Sequence, residues 1–213
     1  MKTINIFLAV TLTVFMSSCQ TKMSDDEIFW KMSTEELVQK CLDYPLFGLM
    51  NAYNSLNDGF AIMTEGYNGF QELFSRDDAA TELLKVYEKL DPLAVNPNWP
   101  DLKIGEFRFE FIKIEMFFNQ KIMIDKLTDN GLRNLKEALV LTYKKKMMLP
   151  EMYYSDSLCP SVGACVQIIE KMNASLLDER RLEVDYLKYY LMVGIDNMEL
   201  LDYIVEILEN IEI

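Results

Sequence analysis

The chain predicts an all-α protein, and three observations carry that expectation. Only eight glycines and six prolines interrupt its 213 residues. Apolar residues recur at helical spacing over most of its length, and strand-like alternation is scarce. Half of the residues are apolar, enough for a core that buries about 70% of the unfolded surface. The expected architecture is antiparallel helical hairpins, packed as an irregular bundle or a short α-solenoid.

Before the helices comes a leader. Lys2 puts positive charge at the start, and Ile4 to Met16 is an apolar run without charge. Ser17 and Ser18 are small, and Cys19 follows. A charged start, a short apolar run and small residues before a cut describe a secretory signal peptide. The run is too short to span a bilayer, which needs about 20 residues. Met16-Ser17-Ser18-Cys19 resembles the lipobox of bacterial lipoproteins. That resemblance implies a leader cut before Cys19, acylation of Cys19 and attachment to a membrane through the lipid. Gln20 to Glu27 is then polar and ends in Asp25-Asp26-Glu27. This acidic cluster is similar to the export signal of Bacteroidota-type surface lipoproteins. It also fits a solvated linker with helix-start charges. The expected organisation is a signal peptide over 1–18, a lipidated flexible tether over 19–32 and one all-α domain over 33–213. Val162-Gly163-Ala164-Cys165 matches the lipobox as a string, but no leader-type run precedes it.

The helices follow in order. Ser33 with Glu36 three residues on is a capping box, in which each side chain satisfies an orphan backbone donor. Leu37, Val38, Cys41 and Leu42 form the apolar stripe behind it, and Pro45 ends the helix. Leu46 to Leu56 reads as a short helical run, and Asn57-Asp58-Gly59 as a turn. Phe60 to Phe74 reads as one helix weakened by Gly66 and Gly69. Asp77 or Asp78 is placed to cap Ala79 to Leu90. Asp91 to Asp101 carries three prolines and divides helical subunits 33–91 and 101–213. Trp99 in that loop is either a latch on the core or an exposed contact residue.

Gly105 to Lys126 is apolar on more than one side, so it reads as the central helix. Thr128-Asp129 caps Gly131 to Met148, whose last turn holds Lys144, Lys145 and Lys146. Cations there suit the helix dipole. Pro150 to Pro160 is a loop, and helices are expected over Val162–Ala174, Leu177–Val193 and Asn197–Ile211. Leu84-Lys-Val-Tyr87-Glu-Lys89 resembles Val140-Leu-Thr-Tyr143-Lys-Lys145. HEAT-type solenoids give such recurrence, an analogy that concerns fold alone.

Charge and composition narrow the function. Loss of Lys2 with the leader leaves 20 basic side chains against 34 acidic ones, a net charge of −14. Such a surface repels the phosphates of nucleic acid and of anionic lipid. It suits a basic partner. The chain contains no histidine, which removes Ser-His-Asp and Cys-His activation and histidine-ligated zinc. Lys126 to Glu137 has the glycine and last glutamate of an EF-hand loop, but Lys126 stands where calcium needs a carboxylate. No metal or cofactor is expected.

Two further sites follow from the exported address that the lipobox implies. Cys159 and Cys165 lie in a compartment that permits disulfides. A helix beginning near Ser161 would bring them together in its first turn, and two free thiols are the other outcome. Asp156-Ser157-Leu158 resembles the O-glycosylation acceptor of secreted Bacteroidota-type proteins, which points to Ser157. Cys41 reads as a buried thiol. The expected protein is a lipid-anchored outer-membrane lipoprotein of the bacterial envelope, facing outward if the acidic signal operates. Its helical body would bind a protein or peptide, without catalysis. The alternative is an immunity or inhibitor protein that neutralises a basic toxin.

Overall fold

The computed structural model describes residues 29–52, 56–153, 159–173 and 198–211. Cys19 and Ser157 lie outside the described residues, as does the helix expected over 177–193. The chain divides into two units, Met1–Met32 and Ser33–Ile213. In the first, Phe29 to Met32 closes a turn through the Met32 N–H and the Phe29 carbonyl, 3.1 Å apart. Trp30 is exposed there, with the Lys31 ammonium 5.1 Å from its ring centre.

The second unit is all-α, with no strand among the described residues. Helix α1 (Thr34–Leu42) begins at the capping box read from the sequence. Ser33 Oγ accepts from the Glu36 N–H at 3.2 Å, and Glu36 Oε2 accepts from the Ser33 N–H at 2.9 Å. The Ser33 N–H, with the Ser33 hydroxyl that also donates to Glu36 Oε2 at 2.9 Å, holds the Glu36 carboxyl below its ordinary pKa. A 3-10 helix (Phe47–Ala52) follows. Asn57-Asp58-Gly59 is not a turn: it lies inside α2 (Leu56–Gly66). Local turn chemistry there is overridden by the packing of Phe60 and Met63, both buried. The single helix expected over 60–74 is two, because Tyr67 adopts an extended conformation before α3 (Asn68–Ser75).

Asp78 precedes α4 (Ala79–Tyr87), but its side chain does not cap that helix. It accepts instead from Thr34 Oγ1 at 2.7 Å, tying the start of α4 to the start of α1. Asp91 caps a short 3-10 helix (Pro92–Ala94) by accepting from the Leu93 N–H at 3.3 Å. Trp99 is half-buried edge-on to Phe107, with ring centres 5.8 Å apart and the Lys103 ammonium 4.2 Å from its own. It latches onto the helix that follows.

That helix is α5 (Asp101–Phe118), and it is central. From Lys113 to Phe118 every residue is buried, so no solvent face remains in its last six residues. The chain breaks at Asn119 and Gln120, then forms α6 (Lys121–Asp125). Thr128 caps α7 (Asp129–Met147) by accepting from the Gly131 N–H at 3.1 Å. Helices α8 (Cys159–Asn173) and α9 (Met198–Asn210) complete the described elements. Helices α1, α4, α6 and α8 all pack on α5, and α9 packs on α7 and α8.

Two aromatic groups fill the interior. Phe47, Phe60 and Phe70 surround Phe117, each with a ring centre within 6.0 Å of it. Tyr87 and Tyr153 both meet Phe111 edge-on. Edge-to-face geometry sets the positive ring edge on a negative ring face. At Gly163 of α8, an added Cβ would stand 2.3 Å from Asn119 Oδ1. Any larger residue there would have to push the Asn119 side chain aside.

Candidate functional site

The polar groups that matter most are inside the bundle. Three helices each offer two residues four apart, so both side chains share one face. Helix α5 offers Phe111 and Glu115, α7 offers Thr142 and Lys146, and α8 offers Ser161 and Cys165. Tyr87 comes from the end of α4, and Tyr153 from the chain after α7. All eight side chains are buried.

Glu115 is the hub. Its Oε1 accepts from the Tyr87 hydroxyl at 2.8 Å and from Lys146 Nζ at 2.9 Å. Lys146 is 1% exposed and Glu115 0%. Lys146 also reaches Ser161 Oγ at 3.4 Å, and its Nζ lies 5.0 Å from the Phe111 ring centre and 6.0 Å from that of Tyr153. The rings add cation–π attraction to the ion pair. Glu115 Oε2 is buried without a hydrogen-bond partner. Tyr153 donates to the Pro92 carbonyl at 2.7 Å, which pins the proline-rich connection to the same centre.

Burial and the Glu115 charge push the Tyr87 hydroxyl well above its ordinary pKa. The same two causes raise the Cys165 thiol, burial the larger. Burial alone pushes the Cys41 thiol up to about 12. Neither thiol is in the thiolate form that attacks electrophiles or binds metal. Ser161 and Lys146 have the composition of a nucleophile and a base. Their geometry is the reverse: Lys146 donates hydrogen bonds to Glu115 and Ser161, and both side chains are buried. The cluster joins four helices by charge and hydrogen bonds.

Comparison of the chain with family models, with curated proteins and with solved structures gives no match. Among the described residues no group of three or more histidine, cysteine, aspartate or glutamate side chains is placed to hold a metal ion. Nor is any helix there long and apolar enough to cross a membrane.

Of the residues that the sequence singles out, Cys19 and Ser157 lie outside the described set, and Cys159 is described by its backbone alone. Cys165 carries a free thiol. Helix α8 begins at Cys159, not near Ser161, so the two cysteines stand six residues apart within one helix. That is about 9 Å along the axis, beyond the separation a disulfide bridges. The bridge needs a later helix start than the one observed. Glu115 went unread because its partners lie in other helices. The signal available was Lys113 and Glu115 within the apolar run Phe111 to Phe118.

The three lysines at the end of α7 part company. Lys144 pairs with Glu209 of α9, Lys145 with Asp91 at 3.0 Å, and Lys146 turns inward. Other lysines also face the protein. Lys113 donates to the Leu42 carbonyl at 2.9 Å, and Lys171 to those of Ile124 and Leu127 at 2.8 and 2.9 Å. Lys136 donates to Ile211 at 2.7 Å. Each closes the carbonyl end of a helix, where the dipole favours a cation.

Proposed function

We propose that this chain is a lipid-anchored protein of the bacterial envelope whose helical body binds a basic protein or peptide. One observation carries the binding part. Among the described residues burial withdraws two lysines, Lys113 and Lys146, from solvent against one carboxylate, Glu115, while Glu35, Glu65, Glu88, Asp101, Glu106 and Glu137 stay exposed. The acidic field attracts basic partners and speeds their encounter. Leu93 and Met148 add exposed apolar surface where the Pro92–Ala94 turn meets the end of α7.

The anchoring part rests on Cys19 and its lipobox-like surroundings. No described helix offers another anchor. The test is affinity capture of the full-length protein from membranes, beside a Cys19→Ser control. The wild type should fractionate with membrane and the variant should not. A captured partner should be basic and should dissociate as salt rises. A variant that stays in the membrane fraction defeats the anchoring reading. A toxin is one basic partner class, and an immunity role would show as protection of cells that express the protein.

A further inference from the structure

The beginning of α5 stands apart from the rest of that helix. From Asp101 to Glu110 no residue is buried, whereas Phe111 and Lys113 to Phe118 all are. Phe107 is half-covered, edge-on to Trp99, and Phe109 is half-covered beside Phe47, with ring centres 6.0 Å apart. Leu102 is 77% exposed. Gly105 is the second anomaly. Glycine weakens the interior of a helix relative to alanine, and the protein's own packing does not require it here: a Cβ on Gly105 would meet nothing within 4 Å. At Gly69 and Gly163 the same atom would stand 2.6 and 2.3 Å from a neighbouring side chain.

Helical spacing joins these residues into one surface. At about 100° per residue, Leu102, Gly105 and Phe109 fall within about 60° of one another. Asp101 borders this strip on one side, and Glu106 and then Glu110 border it on the other. All three carboxylates are exposed. Glu110 is paired with Lys113 at 2.8 Å, and Lys103, on the far side of Glu110, lies over the Trp99 ring. Asp101 and Glu106 therefore flank an apolar strip that dips at mid-length, where the side chain is missing.

Resting on the basic-partner reading above, we propose that this strip is the docking site: the partner presents an amphipathic helix whose apolar ridge crosses α5 at Gly105 and whose lysines or arginines meet Asp101 and Glu106. The distance between crossing helices is set by the side chains at the contact, so the bare Cα brings the two backbones close. Leu102 and Phe109 then grip the ridge on either side of the crossing. Charge selects the occupant. A second copy of this chain would bring the same carboxylates to the crossing, where like charges repel.

The probe is a labelled synthetic helical peptide with leucines along one stripe, lysines on both flanks and alanine elsewhere. Its controls are the same composition in shuffled order and the same stripe flanked by glutamate. The full chain should bind the striped lysine peptide about tenfold tighter than the shuffled one, by fluorescence anisotropy. Gly105→Leu and Leu102→Asn should each remove that preference, while Leu141→Asn, at an equally open leucine of α7, should leave it intact. Asp101→Asn with Glu106→Gln should flatten the salt dependence. Gly105→Ala should raise the melting temperature of the free chain, since only the docking needs the glycine. Striped-peptide binding unaffected by Gly105→Leu and Leu102→Asn would overturn the site and leave the basic-partner reading standing. No binding of either lysine peptide would overturn both. Preference for the glutamate-flanked stripe would overturn the charge assignment, and a wild-type dimer dissolved by Gly105→Leu would give the strip to a second copy instead.

Discussion

Lys145 and Lys146 are neighbours in sequence, yet their ion pairs belong to different physical regimes. Lys145 meets Asp91 at 3.0 Å in contact with water. Lys146 meets Glu115 at 2.9 Å with none. The distances are nearly equal, so geometry alone does not separate them. Solvent does. An exposed pair is screened and loses side-chain entropy, and its net contribution is small. A buried pair has lost its hydration, and each partner depends on the other. The lesson is directional: the buried pair dictates which helices meet, and the exposed one decorates a contact made by other means.

The sharpest way to break the comparison is Lys146→Met, which leaves Glu115 uncompensated in the core. It should cost about 3–5 kcal/mol in denaturant unfolding. Converting both partners, Glu115→Leu with Lys146→Met, should recover most of that loss, because apolar groups of similar volume need no counter-charge. Part of the loss should persist, because the Tyr87 hydroxyl loses its Glu115 acceptor. A double variant as unstable as the single one would show that the ion pair is not the cause.

The next effect is on the alkaline side and also belongs to the interior. Cys41, Cys165 and Tyr87 all hold their protons more tightly folded than unfolded. A raised folded value means stability that is present below the unfolded pKa and lost as pH rises through the folded one. For Cys41 that window runs from 9.0 to about 12. Stability should be flat towards pH 9 and then fall. The same burial should leave both thiols unreactive to alkylating reagents until the chain unfolds.

Exposed groups should give smaller effects, with the opposite pH sign. Ser33→Ala removes the capping box and should lower the melting temperature by about 2–4 °C. Glu36 and Asp91 have lowered values, through Ser33 and foremost through Lys145 respectively. Their contributions are present above the unfolded carboxyl pKa and disappear as pH falls through the folded one. Lys145→Ala should shift the melting temperature least, by under about 2 °C. A shift as large as that of Lys146→Met would erase the distinction between the two pairs.

The same division explains what was legible in the sequence. The capping box at Ser33 and Glu36, the Thr128 cap and the central character of α5 are written in neighbouring residues, and the structure bears them out. Asn57-Asp58-Gly59 has the local chemistry of a turn, but turn propensity is weak beside the burial of Phe60. Asp77 or Asp78 has the local position of a cap, but the partner of Asp78, Thr34, lies on another helix. The Glu115 cluster was not legible at all: Tyr87, Glu115, Lys146 and Ser161 are brought together only by the packing of four helices. Pairings made across the bundle leave no local spacing to find.

The lysines that close helix ends have a consequence for chemical labelling. An amine that donates to an internal carbonyl or carboxylate is a poor nucleophile and is shielded from reagents. Lys113 and Lys146 are buried, and Lys136 and Lys171 are half-covered. Acylating reagents and lysine cross-linkers will therefore mark outer amines such as Lys40 and Lys89 first. The order in which lysines become reactive during unfolding would report which helix end loosens first, with no probe added to the chain.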